Sequence, residues 1–192
     1  MTKIWCQSAN EHTQARIVSE EWFESGFSVF DFKPARGQFS DLTLKITSAR
    51  LPADFFEPGT MFVVSGRLKS VLEEFNVHAE FFPLRIIYRG REYTERTFYF
   101  CNILDCVECL DLARGKYTFW KKPGFTDRVD KIRKLVIDEK KAAGHDLFRI
   151  AKGGEYIVCV SDRVASRIAE QQLTGVRLIE PKDWRFGVLV QE

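Results

Sequence analysis

Two stretches of this chain repeat one pattern. The segment Phe62-Val63-Val64-Ser65-Gly66-Arg67-Leu68-Lys69-Ser70-Val71-Leu72-Glu73-Glu74 reads as a strand, a capping serine and a helix. It returns as Val158-Cys159-Val160-Ser161-Asp162-Arg163-Val164-Ala165-Ser166-Arg167-Ile168-Ala169-Glu170, with Val64/Val160, Ser65/Ser161, Arg67/Arg163, Ser70/Ser166 and Glu74/Glu170 identical at one constant offset. Ser65 and Ser161 stand where an N-cap belongs, because a hydroxyl there accepts an unpaired backbone N–H of the first helical turn. Leu68, Val71, Leu72 and Phe75 share one helical face, and Val164, Ile168 and Leu173 do so less perfectly. Each copy then passes an apolar residue (Val77, Leu173) and a small one (Ala79, Gly175) into an extended run, Phe81 to Tyr88 or Val176 to Ile179. A fold built on this chain must bury two amphipathic helices against two sets of strands.

The rest reads mainly as β. Ile4 to Cys6 suggests a short edge strand, and Leu42-Thr43-Leu44-Lys45-Ile46-Thr47 alternates with period two, as a half-buried strand does. Between the copies, Ile86-Ile87-Tyr88 and Tyr93 to Phe100 flank Arg89-Gly90-Arg91, a hairpin signal. Lys116 to Trp120, Ile132 to Ile137 and Leu147 to Ile150 are further strand candidates, separated by Gly115, Pro123-Gly124 and Gly144. The expectation is an α+β protein with two similar strand–helix–strand units and a β-rich middle segment. Its 192 residues, with 17 phenylalanines, are enough to bury a core without metal or disulfides. One domain over 1–192 is expected, its 1–58 part the least legible.

Charge and leader signals narrow the function classes. A formal net charge of +2 does not mark a nucleic-acid binder. The N-terminus lacks a signal-peptide core, and no segment nears the roughly 18 apolar residues of a membrane span. Five cysteines without an even framework suit a reducing, cytoplasmic setting.

Few constellations carry chemistry. Cys101-x4-Cys106-x2-Cys109, with Cys159 as a fourth ligand, has iron–sulfur spacing, but its flanks are apolar and acidic and contain no glycine. Buried structural thiols are the better reading, and no cofactor or metal is expected. His12, His78 and His145 are scattered, and no catalytic fingerprint such as GxSxG is present. Asp105, Cys106, Glu108 and Cys109 form the one cluster on which an enzyme or small-ligand site is conceivable, although Asp105 and Asp111 read better as turn residues. Between Arg114 and Lys141 ten Lys or Arg face four acids. Within that segment Trp120, Lys121, Lys122 and Phe125 combine aromatic and basic character, the chemistry of a protein-binding hot spot.

By Ile103-Leu104-Asp105-Cys106-Val107-Glu108-Cys109-Leu110-Asp111 the chain is similar to immunity protein family eleven of bacterial polymorphic toxin systems. The likeness rests on Val63-Val64-Ser65, Cys109-Leu110-Asp111, Ile132 to Asp138, Leu147-Phe148-Arg149, Val160-Ser161-Asp162 and Leu173-Thr174-Gly175-Val176, within residues 59–181. The resemblance implies a non-enzymatic cytoplasmic protein of bacterial competition. It would bind and neutralise a cognate toxin encoded by a neighbouring gene, by stoichiometric occlusion, without nucleic acid or membrane. The matching positions are strand, cap and turn residues, so they identify no contact residue.

Overall fold

The computed structural model describes residues 1–9 and 13–185. Strand β1 (Thr2–Gln7) opens the chain, followed by β2 (Ala15–Ile17), the short helix α1 (Glu20–Glu24), β3 (Leu42–Ile46) and β4 (Phe55–Phe56). The first repeat supplies β5 (Val63–Ser65), α2 (Gly66–Glu73) and β6 (Ala79–Tyr88). Then come β7 (Arg91–Glu92), β8 (Phe98–Ile103), β9 (Cys106–Val107), β10 (Lys116–Phe119), β11 (Val129–Lys134) and a short α3 (Glu139–Ala142). After β12 (Leu147–Ile150), the second repeat supplies β13 (Gly154–Ser161), α4 (Asp162–Glu170) and β14 (Val176–Ile179). The expected α+β class and both strand–helix–strand units are present.

Each unit is a split β-α-β element. Strands β5 and β6 both pair antiparallel with β8, which lies between them, so they run parallel to each other. In the same way β13 and β14 flank β1. The first unit anchors a seven-stranded sheet of order β2-β3-β6-β8-β5-β4, with β7 on β6, and the second a five-stranded sheet of order β14-β1-β13-β12-β9. This corrects the expectation of an edge strand at Ile4 to Cys6. The split unit needs an interposed strand, and the start of the chain provides it. The Arg89-Gly90 turn does close a hairpin, both residues having left-handed φ (50° and 78°), but its return strand β7 is only two residues long. Strand β11 begins at Val129 rather than Ile132 and ends at Lys134; Ile137 makes only an isolated bridge to Leu110.

Period-two alternation divides the core into layers. Trp5, Val64, Cys101, Val158 and Val160 point to the side where α2 and α4 lie, packing with Leu68, Val71, Leu72, Val164 and Ile168. Their neighbours Ile4, Phe148 and Cys159 face a second cluster beneath β11 and α3. Val63, Phe98 and Phe100 face a third, roofed by Trp22, Phe27 and Phe39 of the irregular N-terminal region. The aromatic residues of 22–39 thus cover the large sheet instead of extending it.

The repeat is locked by two buried acids. Ser65 Oγ accepts from Leu68 N and donates to Asp54 (2.6 Å); Ser161 Oγ accepts from Val164 N and donates to Asp146 (2.6 Å). Each aspartate also reaches across to the other unit. Thr174 N, just after α4, donates to Asp54 (2.9 Å), and Asn76 N, just after α2, donates to Asp146 (3.0 Å). Arg96 pairs with Asp54 and Arg163 with Asp146. Arg67 donates to the Gln171 carbonyl at the end of α4 (2.9 Å). Gly175 is required where the second unit passes the first: its φ is 82°, and a Cβ there would lie 2.1 Å from the Phe55 carbonyl.

Candidate interaction surface

The β10–β11 hairpin forms a two-stranded sheet separate from both large ones. Its base is fixed. Asp111 N donates to the Val136 carbonyl (2.9 Å), Val129 N to the Lys152 carbonyl (2.8 Å), and the Tyr117 hydroxyl to the Val136 carbonyl (3.1 Å). At its foot, Asp111 accepts from the backbone of Ala113 and Arg114, a turn geometry that holds its carboxyl below the usual range, with the Arg114 side chain adding to the effect.

At the other end, residues 120–128 form a loop closed by Trp120 N to the Arg128 carbonyl (3.0 Å), with an inner turn from Phe125 N to the Lys122 carbonyl (3.0 Å). Trp120, Lys121, Lys122 and Phe125 all stand on this loop and are exposed, Trp120 by 49% and Phe125 by 45%. Lys122 Nζ lies 5.3 Å from the centre of the Phe125 ring, a cation–π contact that presents the ring with its charge. Phe119 and Leu112 are exposed nearby on the same hairpin and its foot. Large apolar side chains gathered in the open on one element make this hairpin the candidate interaction surface.

The acid–cysteine cluster does not converge into one site. Asp105 accepts imidazole contacts from His78 Nδ1 (3.0 Å) and His145 Nδ1 (2.8 Å), histidines that the sequence places far apart. Glu108 pairs with Lys152 (3.1 Å). The thiols are buffered by burial, which pushes Cys6 and Cys106 up to about 11 and Cys101 and Cys109 up to about 12, and Cys159 well above its ordinary value. All five cysteines are free, and no group of three or more metal-ligating side chains occurs among the described residues. His12 lies outside those residues. Sequence reading missed the Asp105 pair of histidines because no local spacing signals it; only the meeting of the segments before β6 and β12 with the one after β8 creates it.

The model of the Immunity protein family (Imm11) matches residues 5–183, nearly the whole chain. The chain belongs to this family. No curated protein matches it. Membership in the immunity family implies immunity against a toxin, and it extends the likeness beyond residues 59–181 to include β1, the strand that completes the second split unit. None of this immunity protein's helices among the described residues is long and apolar enough to cross a membrane.

Proposed function

We propose that this immunity protein acts in the cytoplasm by binding a cognate toxin, encoded by a neighbouring gene, and covering its active site or substrate cleft in a stoichiometric complex. The β10–β11 hairpin is the docking element, with Trp120 and Phe125 as anchors and Lys121 and Lys122 at their side. The observation that carries this reading is the exposure of these side chains on a loop that Asp127, Arg128 and Val129 tie to the fold on one side only. Aromatic anchors supply most of the affinity in such interfaces, and the surrounding charge speeds association with an acidic surface. A stable complex buries roughly 800 Å² on each partner, so the contact extends from the hairpin tip onto the adjoining body.

No catalytic step is needed. The histidines at Asp105 serve to join the segments they come from, and immunity is expected to survive their removal. Co-expression of the chain with the product of the neighbouring gene tests the function directly. Restored growth and a one-to-one complex support it; unrelieved toxicity with no complex overturns it.

A further inference from the structure

Two openings flank the β10–β11 hairpin. The larger, between the 25–41 segment, β9 and the β12–β13 turn, is an open cavity of about 560 Å³ walled by Phe30, Phe32 and Tyr156, with Cys106 also in its lining. Phe32 holds a left-handed φ there (53°). The charged groups of this cavity are already answered: Arg128 pairs with Glu155 (2.6 Å), and Lys152 with Glu108 (3.1 Å) and Asp127 (3.5 Å). The smaller is an open groove of about 380 Å³ along β10. Residues 115–119 line it in succession, with Leu112 from the foot of the hairpin and Arg133 from β11. Three observations single out this groove.

The first is charge without counter-charge. Lys116 and Arg133 belong to the groove lining, Lys131 and Lys134 stand on β11 beside them, and all four are exposed. None of the four makes an ion pair among the described residues. The acids of this region do not answer them. Asp111 pairs with Arg114 (2.5 Å) and Asp127 with Lys152, while Asp130, exposed on β11, pairs with none of the four. Lys116 and Lys134 are moreover direct cross-strand partners. Like charges placed opposite each other destabilise a ladder, a cost that a carboxylate laid beside them relieves.

The second is apolar exposure next to those charges. Leu112 is 57% and Phe119 41% exposed, and both line the groove. Apolar side chains bracketing lysine and arginine suit a polypeptide that carries carboxylates and apolar groups together. A net charge of only +2, with Asp130 among the cations, disfavours a phosphate backbone. The third is an open strand edge. β10 has β11 on one side and no strand on the other among the described residues. A free edge presents main-chain N–H and C=O groups to an incoming strand.

We propose that an extended segment of the toxin adds to the free edge of β10 and lies in this groove, its carboxylates meeting Lys116 and Arg133 and its apolar side chains Leu112 and Phe119. This rests on the toxin-binding reading and extends it from the 120–128 loop to a defined partner chemistry, an acidic strand. In strand addition the main chain supplies affinity and alternate side chains supply selectivity. Groove and loop are continuous, since Phe119 ends β10 and Trp120 begins the loop.

The test uses the full chain and the toxin domain encoded by the neighbouring gene. Calorimetric titration, and association rates measured over a series of salt concentrations, compare the wild type with Lys116→Glu/Arg133→Glu. Lys45→Glu, exposed on β3 of the large sheet, is the control. Lys116→Glu turns two opposed lysines into an opposite-charge pair, so the urea midpoint is not expected to fall. The double variant is expected to bind at least about tenfold more weakly, with a weaker salt dependence of its association rate, as charge reversal in an interface does. Lys45→Glu should bind as the wild type does. Lysine substitutions at toxin Asp and Glu residues should include one that weakens binding to the wild type and restores it to the double variant. Amide hydrogen exchange of the wild-type complex should show new protection at residues 116–119 as well as in the loop, and it decides if the double variant fails to fold. Wild-type affinity in the folded double variant, or protection confined to residues 120–128, overturns the proposal and leaves the loop reading standing. A labelled oligonucleotide that binds tightly and competes with the toxin overturns it too. Failure of the wild-type protein itself to bind the toxin removes the toxin-binding reading, and this groove with it.

Discussion

Asp54→Asn is the sharpest perturbation of the lock between the repeated units. It keeps the side-chain shape, so no cavity forms, and removes only the charge and one acceptor. The Asp54 residue is 1% exposed, and its carboxylate accepts from Ser65 Oγ (2.6 Å), Thr174 N (2.9 Å), Thr174 Oγ1 (2.9 Å) and Arg96. Every partner is a donor in this arrangement, so an amide nitrogen placed among them leaves at least one donor unpaired. Breaking a buried ion pair from one side costs about 3–5 kcal/mol. Arg96, whose side chain is 30% exposed, regains some water, which places the loss near the lower bound, ~3 kcal/mol. With a urea m-value of ~2 kcal/mol/M, the unfolding midpoint falls by about 1.5 M. Burial alone would raise the pKa of Asp54, but the bonds from Ser65 and Thr174, with the Arg96 charge, together outweigh it and hold it below its ordinary value. Its folded pKa is therefore lower than its unfolded one. The stabilisation is complete above the unfolded value of about 3.9 and is lost as pH falls through the folded value. The gap between wild type and Asp54→Asn should stay constant near neutrality and narrow below about pH 4. A loss under ~0.5 kcal/mol, the range of an unremarkable surface change, or a gap unchanged into strong acid would refute the reasoning.

Four other outcomes are expected. Ser65→Ala and Ser161→Ala each lower stability by ~1 kcal/mol through loss of a helix cap, measured by urea midpoints, with Ser65 the more sensitive because it is buried. Trp120→Ala and Phe125→Ala leave the midpoint within experimental scatter but weaken toxin binding by about 2 kcal/mol or more, roughly 30-fold; unchanged titration curves would move the docking element elsewhere. Native protein at pH 8 should react slowly with a thiol reagent at Cys6 and Cys106, whose pKa values of about 11 leave little thiolate, and not measurably at Cys101, Cys109 and Cys159 until denaturant is added. The double variant His78→Ala/His145→Ala should still protect a toxin-expressing strain in a growth assay; loss of protection in a folded, toxin-binding double variant would reopen an enzymatic role at Asp105.

The repeat was legible because capping and amphipathic periodicity are local. Ser65 and Ser161 announce helix starts within three residues on either side, and Leu68, Val71 and Leu72 declare the buried face. Strand order was not legible, because it depends on which distant segment fills a gap. Nothing in Thr2–Gln7 says that it will sit between β13 and β14; its six residues read equally well as a rim. The same limit hid Asp54 and Asp146. They lie at different distances before their serines, and the bonds that matter come from Thr174 and Asn76 on the opposite units. Of the candidate surface, Trp120, Lys121, Lys122 and Phe125 are adjacent in sequence and so could be named together. The cavity beside them could not. Its lining residues Phe30, Cys106 and Tyr156 come from three separate segments, and their meeting is a property of packing alone.

The near-symmetry of the two units also bears on where recognition belongs. Caps, buried acids and crossing backbone bonds occur twice, once for each unit, and a feature present in both copies serves the framework common to them. The hairpin and the strained Phe32 backbone occur once, outside the repeated elements, and the cavity lined by Phe30, Phe32, Glu155 and Tyr156 has no counterpart in the first unit. The framework carries them through specific bonds: Val129 at the loop end of the hairpin bonds to Lys152, and Lys33 and Ala35, just after Phe32, bond to Asn102 and Glu80, all on or beside sheet strands. On the proposed reading, such a division lets the contact surface vary while the scaffold stands, since Trp120 and Phe125 are about half exposed. Exchanging the 120–127 loop for a Gly-Ser connection of equal length should therefore leave the urea midpoint nearly unchanged while abolishing toxin binding. A large fall in stability would show that the loop belongs to the framework after all.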